Sequence, residues 1–402
     1  MRFDQRARAV TALGLAQTLA WASSYYLPAM LAAPMARDLG VSVPTVFAAF
    51  SVALVVSALL GPYAGRAIDR WGGRPVLMGT NLVFALGLAG LGTAQSPVWM
   101  FAAWVVLGIG MGSGLYEAAF AALVRLYGHH SRGAITGVTL FAGFASTVGW
   151  PLSTFLEAHV GWRGACLVWA GLHLVLGLPL NASLPKASAI AAPAADTPVG
   201  EGTPANATPA RAAYLLSLVF AVTWFISTAM AAHLPRLLMA GGATLAVAVL
   251  VGSLVGPAQV AARLLEFGFL RRLHPLFSAR LATLMHPLGV LLLAVFGAPA
   301  AALLGVLHGA GNGILTIAKG TLPLAIFGPE GYGHRQGVLM VPARIAQAFA
   351  PWLFGLCLDR WGVGALCLSA ALGIVAFAAL LALPRLNEQR GLAPITTPSR
   401  SA

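Results

Sequence analysis

Charge is what this sequence lacks most. Of its 402 residues only 9% are Asp, Glu, Lys or Arg, and the acidic share is 11 residues against 24 basic ones. Soluble domains carry about a quarter charged residues. With 59% apolar residues and a mean hydropathy of +0.83, a core built from this chain cannot hide its apolar surface from water. A water-soluble enzyme is therefore excluded, and so is a disordered chain, which needs low hydrophobicity and high charge. Cysteine is equally scarce. Cys166, Cys357 and Cys367 lie in apolar runs without CxxC or Cys/His ligand spacing, which leaves neither a disulfide framework nor a metal site. No Walker loop GxxxxGK[ST] and no Gly-x-Ser-x-Gly elbow occur, so neither ATP hydrolysis nor serine-nucleophile catalysis has its apparatus here. The glycines Gly108 to Gly114 follow no strand and serve helix packing, not dinucleotide binding, and no cofactor is implied.

What the chain does have is long apolar runs. A hydrocarbon core needs about 20 apolar residues per helix. Runs of that size fall near 9–32, 46–64, 76–94, 98–123, 134–156, 164–182, 212–237, 244–264, 280–298, 300–326, 337–357 and 363–384. Backbone groups in lipid are satisfied only in helices or closed barrels, and runs this continuous are helices. The first run is too long for a signal-peptide core and counts as a membrane helix. The reading is an all-α polytopic membrane protein of about twelve transmembrane helices. Residues 183–211, rich in Pro, Ala and Thr, read as a polar linker. It separates a six-helix bundle at 1–182 from another at 212–385, followed by a tail at 386–402.

The basic residues set the orientation. With the N-terminus inside, eighteen Lys and Arg fall in inner segments and four, Arg37, Arg163, Arg236 and Arg360, in outer ones. This is the positive-inside pattern, which puts both termini in the cytoplasm of a cell with this protein in its inner membrane. It explains the formal net charge of +13 without invoking nucleic acid. The halves also echo each other at an offset of about 200 residues: Gly61-Pro62 and Gly256-Pro257, Arg132-Gly133 and Arg335-Gln336-Gly337, Pro151 and Pro351. Two parallel repeats place a binding site between them near the midplane.

Between the second and third runs stands Gly65-Arg-Ala-Ile-Asp69-Arg70-Trp-Gly72-Gly73-Arg74. Gly65 permits close backbone approach, Asp69 suits a helix N-terminus or an arginine, and Arg70 and Arg74 can clamp a neighbouring helix end. This resembles the signature loop of the major facilitator superfamily, Gly-x-x-x-Asp-Arg-x-Gly-Arg-Arg, with Gly73 where the family has a basic residue. The resemblance extends over nearly the whole chain through helix number, linker and repeat. It implies that Gly65, Asp69, Arg70 and Arg74 gate the cytoplasmic face during alternating access. Gly137, Gly143 and Gly149-Trp150-Pro151 resemble part of the antiporter motif of exporting members and tilt the reading toward export. Trp104 stands where the fourth helix of such members opens with an arginine.

Ionisable residues inside a membrane helix are costly, and each is a functional candidate. Glu117, Lys319 and Arg344 fall at similar depth. In the family the first, fourth, seventh and tenth helices line the cavity, which implies that Glu117 and Lys319 face one another with Arg344 beside them. Lys319 and Arg344 would hold a small anion, and Glu117 would carry a proton. The alternative is a structural ion network. Asn312, Tyr25, Tyr26 and Trp224 are further substrate candidates, His308 a second proton candidate, and Arg263 a gate residue with Glu266 as its local partner. His173 and His286 read as packing residues. The resulting expectation is a monomeric secondary active transporter of a small organic solute in the lipid bilayer, anions favoured, with proton coupling and export. A passive uniporter of the same fold and a membrane-embedded transferase are the alternatives.

Overall fold

A computed structural model of the chain describes residues 2–186, 207–270 and 273–383. Most of the expected linker and the whole expected tail at 386–402 lie outside the described residues. Those described form helices joined by short turns, with no strand among them. The elements are α1 (Arg2–Ser23), α2 (Leu27–Asp38), α3 (Val43–Trp71), α4 (Gly73–Gly92), α5 (Pro97–Gly114), α6 (Tyr116–Tyr127), α7 (Arg132–Ala142), α8 (Ala145–Leu172), α9 (Leu178–Ala182), α10 (Ala207–Ala240), α11 (Leu245–Gly268), α12 (Pro275–Phe296), α13 (Ala301–Phe327), α14 (Tyr332–Trp361) and α15 (Ala365–Leu381). Seven helical stretches are long and apolar enough to cross a membrane; two of them, Pro97–Ala182 and Tyr332–Leu381, contain more than one pass. Positive-φ glycines at Gly128, Gly161 and Gly362 mark where these reverse. Counted as passes, α1 with α2, α5 with α6 and α7 with the first part of α8 each make one, and the described helices cross twelve times.

Two large buried cores, with a small third cluster of Ala262, Ala282, Ile314 and Leu315, hold the passes together. One runs from Ala9 to Leu184 and takes in Leu324, Tyr332 and Ala348; the other runs from Ala212 to Leu383. The outside of the bundle is apolar as well: Leu86 is 66%, Val175 78% and Trp352 63% exposed. In water such a belt would drive aggregation; in lipid it is the solvated surface.

Three passes are interrupted, and at two of them the sequence gives the backbone an alternative partner. Between α1 and α2 the hydroxyls of Ser23 and Ser24 bond the carbonyls of Leu19 and Ala20 at 2.8 and 2.5 Å, and Pro28, in the first turn of α2, has no N–H to donate to the Ser24 carbonyl four residues back. Between α5 and α6 the turn at Gly114-Leu115 leaves the Gly114 carbonyl free, and the Gln17 amide donates to it at 2.6 Å. The signature segment is not a loop, contrary to the sequence-based expectation. α3 continues through Trp71, and only Gly72, at φ 84°, stands between it and α4. Gly73 opens α4 directly against Ala122 of α6, and a Cβ there would overlap the Ala122 methyl. A basic side chain has no room at this position.

The helix ends that carry Arg66, Arg70, Arg74, Arg125, Arg132 and Arg335 form one Arg-rich face. The broad contacts across the two cores are α3 with α14, α6 with α14, α7 with α11, α7 with α13, and α6 with α13. α6 and α7 are the halves of their passes nearest that face. The outer halves, α2 and the first part of α8, make no comparable contact. The two cores therefore meet toward the Arg-rich face and part toward the other.

Candidate functional site

At the interruption between α5 and α6, Glu117 falls in the first turn of α6. Free N–H groups and the helix dipole favour a carboxylate at that position by about 0.3–1 kcal/mol. Its partner comes from the other half of the chain. Arg344 of α14 directs Nη2 at both carboxylate oxygens, at 3.0 and 2.8 Å. The Arg344 side chain is 3% and that of Glu117 15% exposed. Arg344 Nη1 donates to Gln347 Oε1 at 3.1 Å, and Gln347 Nε2 donates to the Tyr25 hydroxyl at 2.9 Å. A single polar chain thus joins α6, α14 and the α1–α2 interruption. The guanidinium lies 5.4 Å from the Trp224 ring and 6.0 Å from the Trp21 ring.

Lys319 of α13 is buried, at 4% exposure. Its ammonium sits 4.0 Å from the centre of the Trp224 ring, a cation–π contact. Among the described residues no carboxylate oxygen comes within 4.0 Å of it. Glu117 is paired with Arg344 and not with Lys319. Trp224 touches both cores, and the indole nitrogens of Trp21 and Trp224 are buried without an acceptor. Tyr25 and Tyr26 pack edge-on to each other at 5.4 Å, with Trp21 and Phe50 against Tyr25 and Trp150 against Tyr26. Lys319 thus stacks on Trp224, whose indole N–H is unpaired, with no carboxylate in ion-pair range among the described residues.

His308 and Asn312 line a different cavity. It has a volume of about 30 Å³ and lies between α10, α12, α13 and α15. There His308 Nδ1 meets His286 Nδ1 at 3.2 Å, and His286 Nε2 meets Ser369 Oγ at 2.9 Å. The Ser369 hydroxyl donates to the Leu366 carbonyl, so it accepts from His286. That makes His286 the Nε2–H tautomer and His308 the donor between the two rings.

At the Arg-rich face Asp69 accepts from the backbone N–H of Gly333 at 2.9 Å and of His334 at 2.8 Å. It caps α14 from α3 and sets a carboxylate on the positive end of that helix. Gly65 and Gly333 bring the two backbones into contact, and one turn further in Gly61 and Gly337 do the same. Arg70 lies over its neighbour Trp71, 5.8 Å from the ring centre. Neither Arg70 nor Arg74 has a carboxylate within 4.0 Å among the described residues. A second lock sits on α7: Arg132 binds Glu266 at 2.8 Å and the carbonyls of Leu273 and Leu270 at 2.6 and 3.3 Å. Glu266 is thus the partner of Arg132, not of Arg263 as the sequence spacing suggested. Arg263 reaches the Thr139 carbonyl of α7 at 3.1 Å and Gln259 Oε1 at 3.3 Å.

Trp21, Gln347, Arg132 and Thr139 were not among the sequence candidates. Gln347 stands three residues after Arg344 and Trp21 four before Tyr25, so helical spacing from a known candidate would have found both. Thr139 contributes a carbonyl, which no side-chain pattern encodes.

The sequence profile described as Major Facilitator Superfamily matches residues 13–305. The chain is 28% identical over 372 residues, 90% of each chain, to an uncharacterized 38 kDa protein in the 23S RNA operon of Thermoproteus tenax. It is 32% identical over 131 residues, 31% of this chain and 28% of the relative, to monocarboxylate transporter 11 of Mus musculus. The crystal structure of the human organic anion transporter MFSD10 superposes with a TM-score of 0.70 at 17% identity, covering 93% of this chain and 99% of that one. With its twelve helical passes and a profile match over most of its length, the chain belongs to the major facilitator superfamily and is a multi-pass membrane transporter of a small solute.

Proposed function

We propose that the protein is a secondary active transporter of a small organic anion. Residues 1–182 and 212–385 act as two bundles joined by 183–211, and they rock about a pocket walled by Tyr25, Tyr26, Trp21 and Trp224. One observation carries the anion reading: the Lys319 side chain is buried with no carboxylate in ion-pair range among the described residues. A buried charge left alone costs several kcal/mol, and an anionic solute removes that cost on binding. The names of the mouse relative, a monocarboxylate transporter, and of the human organic anion transporter agree with this choice. Glu117 is the proton carrier. Protonating it frees Arg344 and undoes the polar chain that ties α6 to α14. Proton entry in exchange for anion export is the direction we favour.

The Arg-rich face is cytoplasmic on this reading, by the positive-inside rule, with the protein in the inner membrane. On this reading the α3–α14 and α7–α11 contacts close the pocket on the cytoplasmic side in the conformation described. Flux of radiolabelled organic anions into proteoliposomes tests the proposal. Accumulation should follow an imposed pH gradient and disappear in Lys319→Gln, while Glu117→Gln should abolish gradient-driven accumulation but keep anion exchange. Flux of neutral solutes unaffected by Lys319→Gln would reject the anion reading. Simple equilibration regardless of the gradient would make the protein a uniporter.

A further inference from the structure

We infer that the substrate is a dicarboxylate, held by Lys319 and Arg263, with Arg344 reserved for Glu117, a conclusion that rests on the anion reading above and extends it. Lys319, Arg344 and Arg263 are 4%, 3% and 5% exposed. Two of the buried carboxylates are spoken for: both oxygens of Glu117 face Arg344, and Glu266 is shared between Arg132 and the Ser278 hydroxyl. Two cations remain. Among the described residues neither Lys319 nor Arg263 has a carboxylate oxygen within 4.0 Å.

Both contacts of Arg263 are to neutral groups, the Thr139 carbonyl and the Gln259 amide oxygen, and its Nε is buried without an acceptor. An arginine stays protonated at any pH the protein meets, so it cannot escape the penalty by losing its charge. The two cations belong to one region. α7, which Arg263 touches, packs against both α11 and α13, and α11 packs against α13, which carries Lys319. Gly320, beside Lys319, lies against Ile135 of α7, one turn before the Thr139 carbonyl that Arg263 holds. Like charges in a low-dielectric interior repel, and an anion between them turns that repulsion into attraction.

Two anionic groups, not one, match the arrangement. The cations stand on different helices, α11 and α13, and each presents its own donors. A guanidinium with free N–H edges takes a carboxylate through parallel hydrogen bonds, and the ammonium takes another. The unpaired indole nitrogens of Trp21 and Trp224 supply further donors for carboxylate oxygens. A molecule with two carboxylates brings the pocket to neutrality, whereas one with a single carboxylate leaves a buried cation uncompensated. Arg263 also makes binding felt at a distance. Its bond to the Thr139 carbonyl crosses between the two cores, and a carboxylate that captures the guanidinium competes with that bond. Occupancy loosens the α7–α11 contact on the side that is closed.

Affinity measurements on the purified full-length protein test the inference with simple probe acids. The probes are straight-chain dicarboxylates from butanedioate to octanedioate, each compared with the monocarboxylate and the diamide of the same length. At least one dicarboxylate should stabilise the wild-type protein against thermal unfolding and bind about tenfold or more tightly than its monocarboxylate. Arg263→Gln should shrink that ratio to about threefold or less, and Arg263→Lys, which keeps an amine donor but not the two parallel hydrogen bonds, should fall between the two. Because the ratio is first read on the wild type, a folding defect in a variant does not decide the matter. Equal affinity for matched mono- and dicarboxylates, failure of every dicarboxylate to bind, or a preference that survives Arg263→Gln would overturn it. If monocarboxylates bind in a Lys319-dependent way without a dicarboxylate preference, the dicarboxylate inference falls and the anion transporter remains. If diamides bind as well as the acids and Lys319→Gln changes nothing, the anion reading falls with it.

Discussion

Glu117 and Arg344 show what a single pair can do in this fold. Each is the other's main neutralising group, and they come from opposite halves of the chain. Removing one partner strands the other. Arg344→Gln should therefore destabilise the protein by about 3 kcal/mol or more, and the double change with Glu117→Gln should cost less than the sum of the singles. Thermal unfolding of the four proteins in one detergent checks this. Ser369 offers a smaller case. It accepts from His286 Nε2, so Ser369→Ala leaves a buried donor unpaired and should cost about 1–3 kcal/mol, read in the same assay. His274 is the residue to watch with pH. It caps α12 by accepting the Leu276 N–H on Nδ1 at 3.2 Å. Burial first, then the charges of Arg132 and Arg280, lower its pKa from the usual 6.5. The unfolded chain therefore takes up the proton before the folded one does. Stability should be flat above pH 6.5, fall as the pH drops below it, and level off once the folded state also protonates. His274→Asn, which keeps a capping acceptor without the titration, should lose that part of the pH dependence in unfolding curves.

The helix pair α3–α14 is the element on which gating turns. A Cβ at Gly65 would collide with the Gly333 carbonyl, and one at Gly333 would lie 2.5 Å from the Gly65 carbonyl oxygen. Gly65→Val should thus cost the closed arrangement about 1–3 kcal/mol and tip the protein toward opening at the Arg-rich face. A cysteine in place of Gln336, buried at 1% exposure just beside this seam, should then label faster with a membrane-impermeant thiol reagent applied from the Arg-rich side. Asp69→Ala should act in the same direction, because it leaves the Gly333 and His334 N–H groups without their carboxylate. Of all this, the sequence made Asp69 legible, since an acidic residue between two apolar runs suits a helix N-terminus. It did not reveal which helix, because the partner lies 264 residues away. The interruptions at Ser24–Tyr26 and Gly114–Leu115 were hidden for a related reason. Gly, Ser and Pro are tolerated inside membrane helices, and whether the backbone breaks there depends on a distant group such as the Gln17 amide.

At the scale of the whole molecule, the number of passes was readable because each must fill the thickness of a bilayer with apolar side chains. Depth was readable too: residue rise alone put Glu117, Lys319 and Arg344 at one level. Rotation about each helix axis was not, and it decides that Arg344 takes the carboxylate and that His308 and Asn312 line a cavity of their own. The rocking proposal has a direct readout. Spin labels at Arg66 and Glu330 report on the Arg-rich face, and labels at Val43 and Trp361 on the opposite one. A cycle of binding and release should lengthen one distance while it shortens the other. Distances that change together, or not at all, would contradict it.

Where Gly61 and Gly65 meet Gly337 and Gly333 the backbones touch directly, and the side chains that cross the seam, Asp69 and His334, do so by hydrogen bonds. Two helices that touch backbone to backbone slide apart like sheets of glass, with no knobs to pull from holes and no rotamers to rearrange. Lipid or water that enters the widening gap meets peptide groups already bonded within their own helices. Parting at this line therefore leaves little side-chain packing to undo, and the closed form is held by polar contacts: Asp69 and His334 at the seam, Arg132 with Glu266 on α7, and Arg344 with Glu117 deeper in.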